Sequence, residues 1–231
     1  MNQIVNINLS LFLFLFMLSP VMGQGTVTDL RSMGYTIFPT PQQVNLEEES
    51  IVIDGSWLIL PNKSVSQEIT NELIKRAQAL HGLNFSGSGT GQIELKITKN
   101  GVPDIFDPEC SGQAYRITIR QGRVIIEGNE EVGLFYGIQS FLQVLKPVSD
   151  GRFKLPVGTI TDWPDLELRV IHWDTKHHRE KMETLKRYID WSAYFKINAI
   201  AFEIEDKYEY PSHPVIGNPN AFSKEEMNEL T

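Results

Sequence analysis

Between Leu168 and Ile204 the chain reads strand, helix, strand in fewer than 40 residues, which leaves it few ways to fold. Leu168 to Trp173 is a continuous strand-like run. Lys181 to Phe195 carries Met182, Leu185, Tyr188, Ile189 and Trp191 at helical spacing, and Ile197 to Ile204 is a second strand. Two strands joined through a helix pair parallel, because the crossover returns the chain to the same end of the sheet. In the second strand Ile200, Phe202 and Ile204 share one face while Ala199, Ala201, Glu203 and Glu205 share the other. In a barrel that alternation sends the apolar face to the helices and the Glu face inward, near the C-terminal mouth where barrel enzymes place their chemistry.

The sequence before this unit alternates differently. Residues 24–34 read as a linker, and Tyr35 to Gln42 as an extended segment stiffened by Pro39 and Pro41. Strand-like runs follow at Ile51 to Asp54 and Ser56 to Leu60. Ser64 with Gln67 has the capping-box pattern, opening a helix through Val65, Ile69, Leu73, Ala77 and Leu80 that Gly82 stops. Gln92 to Thr98 alternates, as do Tyr115 to Ile119 and Arg123 to Glu127. The turn Gln121-Gly122 makes the last two a hairpin. Asn129 is placed to cap a helix from Glu130 to Lys146, with Pro147 beyond its end. The expectation is an α+β domain over residues 35–159 and a βα unit over 160–231. Ser223 with Glu226 opens a last helix that the chain leaves unfinished at Thr231.

Met1 to Gly23 has the form of a signal peptide, with an apolar run from Leu9 to Met17 too short to span a bilayer and small residues after it, though no Lys or Arg precedes the run. This predicts a secreted or periplasmic protein, cut near Gln24, with no integral membrane segment in the mature chain. Cys110 is the only cysteine, so no internal disulfide forms. The formal charge of −8, without a block of Lys and Arg, argues against nucleic acid as a partner and leaves neutral sugars open. His177 and His178 are adjacent rather than four apart and point to different faces, so no metal site is expected, and no cofactor motif is present.

Three stretches resemble glycoside hydrolase family 20, the β-N-acetylhexosaminidases. Phe38-Pro39-Thr40-Pro41 and Gly133 to Gln143 are similar to that family's N-terminal domain. Asp162 to Asp165, Arg169 and Asp174 are similar to its first barrel strand, and Lys186 to Asp190 with Lys196-Ile197-Asn198 to the helix and strand that follow. The resemblance implies a zincin-like α+β domain followed by the first βα units of a truncated (β/α)8 TIM barrel. It also implies an activity: removal of terminal β-linked N-acetylhexosamine from glycans, in which the substrate's own 2-acetamido oxygen attacks the anomeric carbon, an Asp orients that amide and the adjacent Glu serves as acid and base. That Asp-Glu pair is carried by the fourth barrel strand in the family. It is expected beyond Thr231, so this chain by itself is expected to be inactive.

By the same register Asp206 falls on the first Asp of the family's paired-Asp turn. Lys207 replaces the second, Tyr208-Glu209-Tyr210 stands for Gln-Gly-Trp, His178 matches a family His and His177 replaces its Arg. The resemblance gives Arg169 contacts to hydroxyls of the nonreducing-end sugar, for which a guanidinium fork is suited. A charge in an apolar strand can equally be a structural ion pair. Glu203 and Glu205 are either mouth residues or charge partners of Arg169 or Lys176. Asp206, Asp174 and His178 complete the candidate substrate-binding set, with a solvated loop Asp and a satisfied structural His as the plain alternatives. A hydrolase of the family 84 or 67 type, or a noncatalytic glycan-binding protein, would share this scaffold.

Overall fold

The computed structural model describes residues 27–102, 108–175 and 177–230. The expected leader over residues 1–23 lies outside them. Two units follow one another along the chain. The first has α1 (Val27–Ser32), β1 (Gln43–Asp54), β2 (Leu58–Pro61), α2 (Gln67–His81), β3 (Gln92–Ile97), β4 (Tyr115–Arg120), β5 (Arg123–Gly128), α3 (Glu131–Val144), β6 (Lys146–Ser149) and β7 (Arg152–Asp162). The second has β8 (Val170–Asp174), α4 (Met182–Tyr194), β9 (Ala199–Glu203) and α5 (Lys224–Asn228).

The first unit is a mixed seven-stranded sheet in the order β1-β7-β4-β5-β3-β2, with β6 paired to β7. The expected β4–β5 hairpin is antiparallel and turns at Gln121-Gly122, where Gly122 takes φ 69°. Ile93, Leu95, Ile117, Ile119, Val124 and Ile126 all point to one face and are fully buried there. Period-two alternation does this: each strand offers its even or odd set to the helices α2 and α3. Gly133 lets α3 come close, because a Cβ there would stand 2.3 Å from the carbonyl oxygen of Ala114.

Several boundaries differ from expectation. Within the stretch read as a linker, α1 forms because Leu30 has a core to enter, and it is 3% exposed. The N-cap of α2 is Ser66, not Ser64, and its Oγ accepts from the backbone of Ile69 at 3.3 Å. Gly82 does stop that helix, in the left-handed region at φ 64°. Asn129 caps nothing: its side chain accepts from Val102 N at 2.7 Å and donates to the carbonyls of Val102 and Ser111, which fastens a distant loop. The helix α3 ends at Val144, and Lys146 to Ser149 turn into a strand. The long strand β7 was not expected at all, and it sits between β1 and β4. It also runs past the boundary expected at 159/160.

The second unit holds the expected βα arrangement. Strands β8 and β9 pair parallel, with Trp173 opposite Phe202 and Asp174 opposite Glu203. Ile200 and Phe202 face α4 as expected, forming with Trp173, Ile189, Met227 and Leu230 an apolar groove of about 360 Å³. Ser223 and Glu226 make the full reciprocal capping box on α5, which closes at Glu229.

Candidate functional site at the strand ends

Parallel strands deliver their C-terminal ends to one side, and here those ends carry Asp174 and Glu203. Thr175, fully buried, donates both its N–H and its hydroxyl to the carbonyl of Glu203 at 3.1 Å, tying the end of β8 to the end of β9. The Glu203 carboxylate meets Nε2 of His172 at 2.8 Å. His172 was not among the expected site residues. The signal was present, since His172 lies two positions before Asp174 in β8 and so shares its face.

Beyond β9 the backbone leaves the strand. Glu205 takes φ 41° at the start of a short 3-10 turn, so alternation no longer aims it, and its side chain is exposed. Its carbonyl accepts from the Tyr210 hydroxyl at 2.7 Å. Asp206 follows, with Oδ1 against Lys207 Nζ at 2.5 Å and Oδ2 accepting from Asn218 at 3.2 Å. The Lys207 bond, then that of Asn218, holds the Asp206 carboxyl below its ordinary range. The backbone carbonyl of Asp206 also accepts from Asn218 N at 2.7 Å, and Phe222, fully buried under the Arg179 guanidinium, closes the loop. His178 bonds Glu180 in its own turn at 2.5 Å. Asp174, Glu203, Glu205 and Asp206 are thus gathered on one side of the parallel pair. His178 belongs to the turn beside them.

Arg169 is not with them. It precedes β8, at the opposite end of a strand whose five residues span about 17 Å. Its Nε donates to Lys196 O at 2.7 Å, Nη1 to Leu166 O at 2.7 Å, and Nη2 to Gln113 Oε1 at 2.8 Å, with the guanidinium 5.2 Å from the Tyr136 ring centroid. In this structure its guanidinium spans the seam between the two units, and its partners are carbonyls and an amide rather than the carboxylate of an ion pair.

That seam has a buried charged centre. Lys196 takes φ 62°, is 5% exposed, and donates from Nζ to Asp162 Oδ2 at 2.9 Å and to the Tyr115 hydroxyl at 2.8 Å. The Tyr115 hydroxyl in turn donates to Asp162 Oδ2 at 2.7 Å and lies 2.5 Å from Ser140 Oγ. Burial lowers the Lys196 ammonium's pKa more than Asp162 raises it, and burial pushes the Tyr115 phenol well up. A cavity of about 180 Å³ adjoins this centre, walled by Tyr115, Tyr136, Trp163 and Arg169. Among the described residues no group of three or more His, Cys, Asp or Glu is placed to hold a metal ion, and no helix is long and apolar enough to cross a membrane.

A mixed α/β unit joined to a parallel strand pair with carboxylates at its C-terminal ends is the framework of a two-part α/β protein. The sequence pattern described as "Glycosyl hydrolase family 20, domain 2" matches residues 34–163. The chain belongs to glycosyl hydrolase family 20. It is 25% identical over 202 residues to the human beta-hexosaminidase subunit beta, covering 80% of this chain and 35% of that protein. To the beta-hexosaminidase of Akkermansia muciniphila it is 30% identical over 113 residues, 48% of this chain and 22% of that one. The Flavobacterium johnsoniae chitobiase has the same fold over 86% of this chain and 32% of its own, with a TM-score of 0.70 at 20% identity. The chain thus spans about a third of the length of the human relative.

Proposed function

We propose that this chain is the N-terminal part of a hydrolase that removes terminal β-linked N-acetylhexosamine from glycans by substrate-assisted retention. The observation that carries the reading is the reach of the likeness. The human beta-hexosaminidase subunit aligns over 202 residues, more than the 34–163 domain match contains, so the similarity extends into the second unit where the carboxylates gather. In this reading the first unit is a zincin-like companion domain and β8-α4-β9 begins a (β/α)8 barrel. Asp174, Glu203, Glu205 and Asp206 form one sector of the mouth, with His178 beside it. Asp206 and Glu203 accept hydrogen bonds from sugar hydroxyls, while Arg169 and Lys196 hold the strands from below. Protonation of the leaving oxygen falls to an Asp-Glu pair, and no Asp-Glu dipeptide occurs in these 231 residues. The chain alone is therefore proposed to be inactive, and the mature protein to be exported with its start near Gln24.

One observation favours a second reading, a noncatalytic glycan-binding protein. Lys207 stands where the family carries a second Asp and occupies Oδ1 of Asp206. Assay of the longer gene product on chromogenic β-GlcNAc and β-GalNAc substrates decides between them. Hydrolysis that falls at least tenfold in Asp206→Asn supports the hydrolase. Sugar binding without turnover selects the binder. Intact mass of the exported protein checks the leader.

A further inference from the structure

The two faces of the β8–β9 pair are made of different residues. Ile171, Trp173, Ile200 and Phe202 point toward α4, where the Trp173 ring lies 5.0 Å from that of Tyr188 and 5.4 Å from that of Phe202. Alternation leaves Val170, His172 and Asp174 on the other face, opposite Ala199, Ala201 and Glu203 in turn. A barrel interior packed for stability alone is filled in layers by bulky branched side chains. Here only Val170 is of that kind. The alanines leave space, and the two levels nearest the strand ends hold a His, an Asp and a Glu.

On this face His172 Nε2 lies 2.8 Å from Glu203 Oε2. An ionised carboxylate only accepts, so the ring nitrogen is the donor. The contact runs diagonally, from the middle of β8 up to the end of β9, because Ala201 stands directly opposite His172 and has nothing beyond Cβ to obstruct the ring. Glu203 is held at its backbone as well, where its carbonyl accepts both the N–H and the hydroxyl of Thr175 at 3.1 Å. Strand register needs no help from the ion pair, since the two strands are paired from Val170–Ala199 to Asp174–Glu203. With side chains 62% and 35% exposed, the pair also adds little to stability. What it fixes is direction. A glutamate side chain otherwise samples many rotamers, and a residue of a binding site is effective when its neighbours lock one of them.

We propose that His172 is a positioning residue of the sugar site: it holds one oxygen of Glu203 so that the carboxylate meets a substrate hydroxyl at a fixed angle. The role rests on the reading of this chain as part of an N-acetylhexosaminide hydrolase. A carboxylate offers about four acceptor sites, so one engaged by His172 still accepts from a hydroxyl. His172 itself stands two residues below the end of β8, about 7 Å down the strand, and its ring forms the floor of the pocket rather than a contact at the mouth. It therefore acts through Glu203.

The test uses the longer gene product and a chromogenic β-GlcNAc substrate. His172→Leu is expected to lower kcat/KM about tenfold or more, chiefly by raising KM, because the contact that loosens is already made in the ground state. Its Tm is expected to stay level, since barrel layers accept Leu. His172→Gln keeps an amide donor at nearly the same place and is expected to recover kcat/KM to within about threefold of the unaltered protein. In a Glu203→Gln background His172→Leu is expected to add no further loss, as a role exercised through Glu203 requires. Unchanged kcat/KM in His172→Leu would overturn the proposal. So would an equal loss in both backgrounds, or a loss that follows a lowered Tm and that Gln does not rescue. If the longer protein binds the sugar without turning it over, the same ratios are read in Kd. An unaltered protein that neither hydrolyses nor binds would bring down the glycosidase reading and this role with it, whereas activity indifferent to His172 sinks this role alone.

Discussion

Strands β4 and β9 alternate apolar and polar residues equally well, yet they end in different surroundings. In the first unit Ile117, Ile119, Val124 and Ile126 are sealed beneath α3. In the second, Ile171 is 41% exposed, Trp173, Ile200 and Phe202 are partly wet, and among the described apolar residues after Pro164 only Leu185 and Phe222 are fully buried. Alternation decides which way a side chain points. Burial needs a second layer, and two strands with one packed helix do not supply enough of it. The first unit has its own closed core, whereas the second borrows stability from the first through Lys196, Asp162 and Arg169.

The sharpest way to break this contrast is the same truncation in both places. Phe141→Ala, fully buried on α3, is expected to cost about 3–5 kcal/mol in urea unfolding. Phe202→Ala on β9 should cost under about 1.5 kcal/mol, because much of its area is already in water. Equal losses would mean that the second unit has a core of its own.

Next in size is the seam. Asp162→Asn removes the counter-charge of a buried ammonium and is expected to cost about 3 kcal/mol, within the range for breaking a buried pair. Lys196→Met with Asp162→Leu should recover most of that, since apolar groups of similar volume need no partner. Hydrogen exchange read peptide by peptide sharpens the point: Asp162→Asn should loosen β8 and β9 more than β4. Uniform loosening would deny the second unit its dependence.

How much of this was legible follows the same division between local and distant causes. The β4–β5 hairpin, the Gly82 stop, the β8-α4-β9 crossover and the Ser223 capping box are written in neighbouring residues, and each is where the pattern put it. Strand β7 holds Pro156 and Gly158, which interrupt its period-two pattern. Yet a Cβ on Gly158 would stand 2.3 Å from Asn45 O, so the glycine is what lets β1 approach. Asn129 was recruited by Val102, 27 residues away, which no capping pattern foretells. In the site, alternation along β9 placed Glu203 near its C-terminal end, whereas Asp174 and Asp206 rested on the resemblance. Arg169 precedes β8 and so lies at the far end of that strand from the carboxylates, a placement that strand direction alone gives.

A smaller effect compares two serine caps. Ser66→Ala removes the Oγ that accepts from Ile69 and is expected to lower global stability by about 1 kcal/mol, because α2 is docked on the closed core. Ser223→Ala removes a fuller cap, with Glu226 N to Oγ at 3.1 Å and Ser223 N to Glu226 Oε2 at 2.9 Å. Since α5 edges only an open groove, the loss should appear as faster exchange over residues 224–228 and leave the urea midpoint in place. A shift of that midpoint as large as for Ser66→Ala would show α5 to be part of the cooperative unit.

The subtlest contrast is with acid. Hydrogen bonds from Arg123, then Lys96, hold the Glu94 carboxyl at about 2, against 4.5 for the free group. His81 is held below its ordinary 6.5, chiefly by burial beside Phe153, although its bond to Leu142 O at 2.9 Å pulls the other way. Both folded values lie below the unfolded ones, so the unfolded chain binds more protons and acid favours it. The His81 contribution is complete above 6.5 and is lost as pH falls through its lowered value. That of Glu94 is complete above 4.5 and is lost as pH falls toward 2. The first unit should therefore weaken in two stages on acidification, seen as two falls in the urea midpoint. His81→Gln should flatten the upper stage alone and Glu94→Gln the lower alone. In the second unit Asp206 and Glu226 are also held low, by Lys207 and Arg179 respectively, but at half-exposed positions where salt screens the pairing. Raising salt should thus erase the acid response of exchange in residues 205–228 while leaving the His81 stage intact, because that stage arises from burial rather than from a neighbouring charge. If salt removed the His81 stage as well, charge and not desolvation would govern the first unit, and the distinction between a closed core and an open one would lose its electrostatic support.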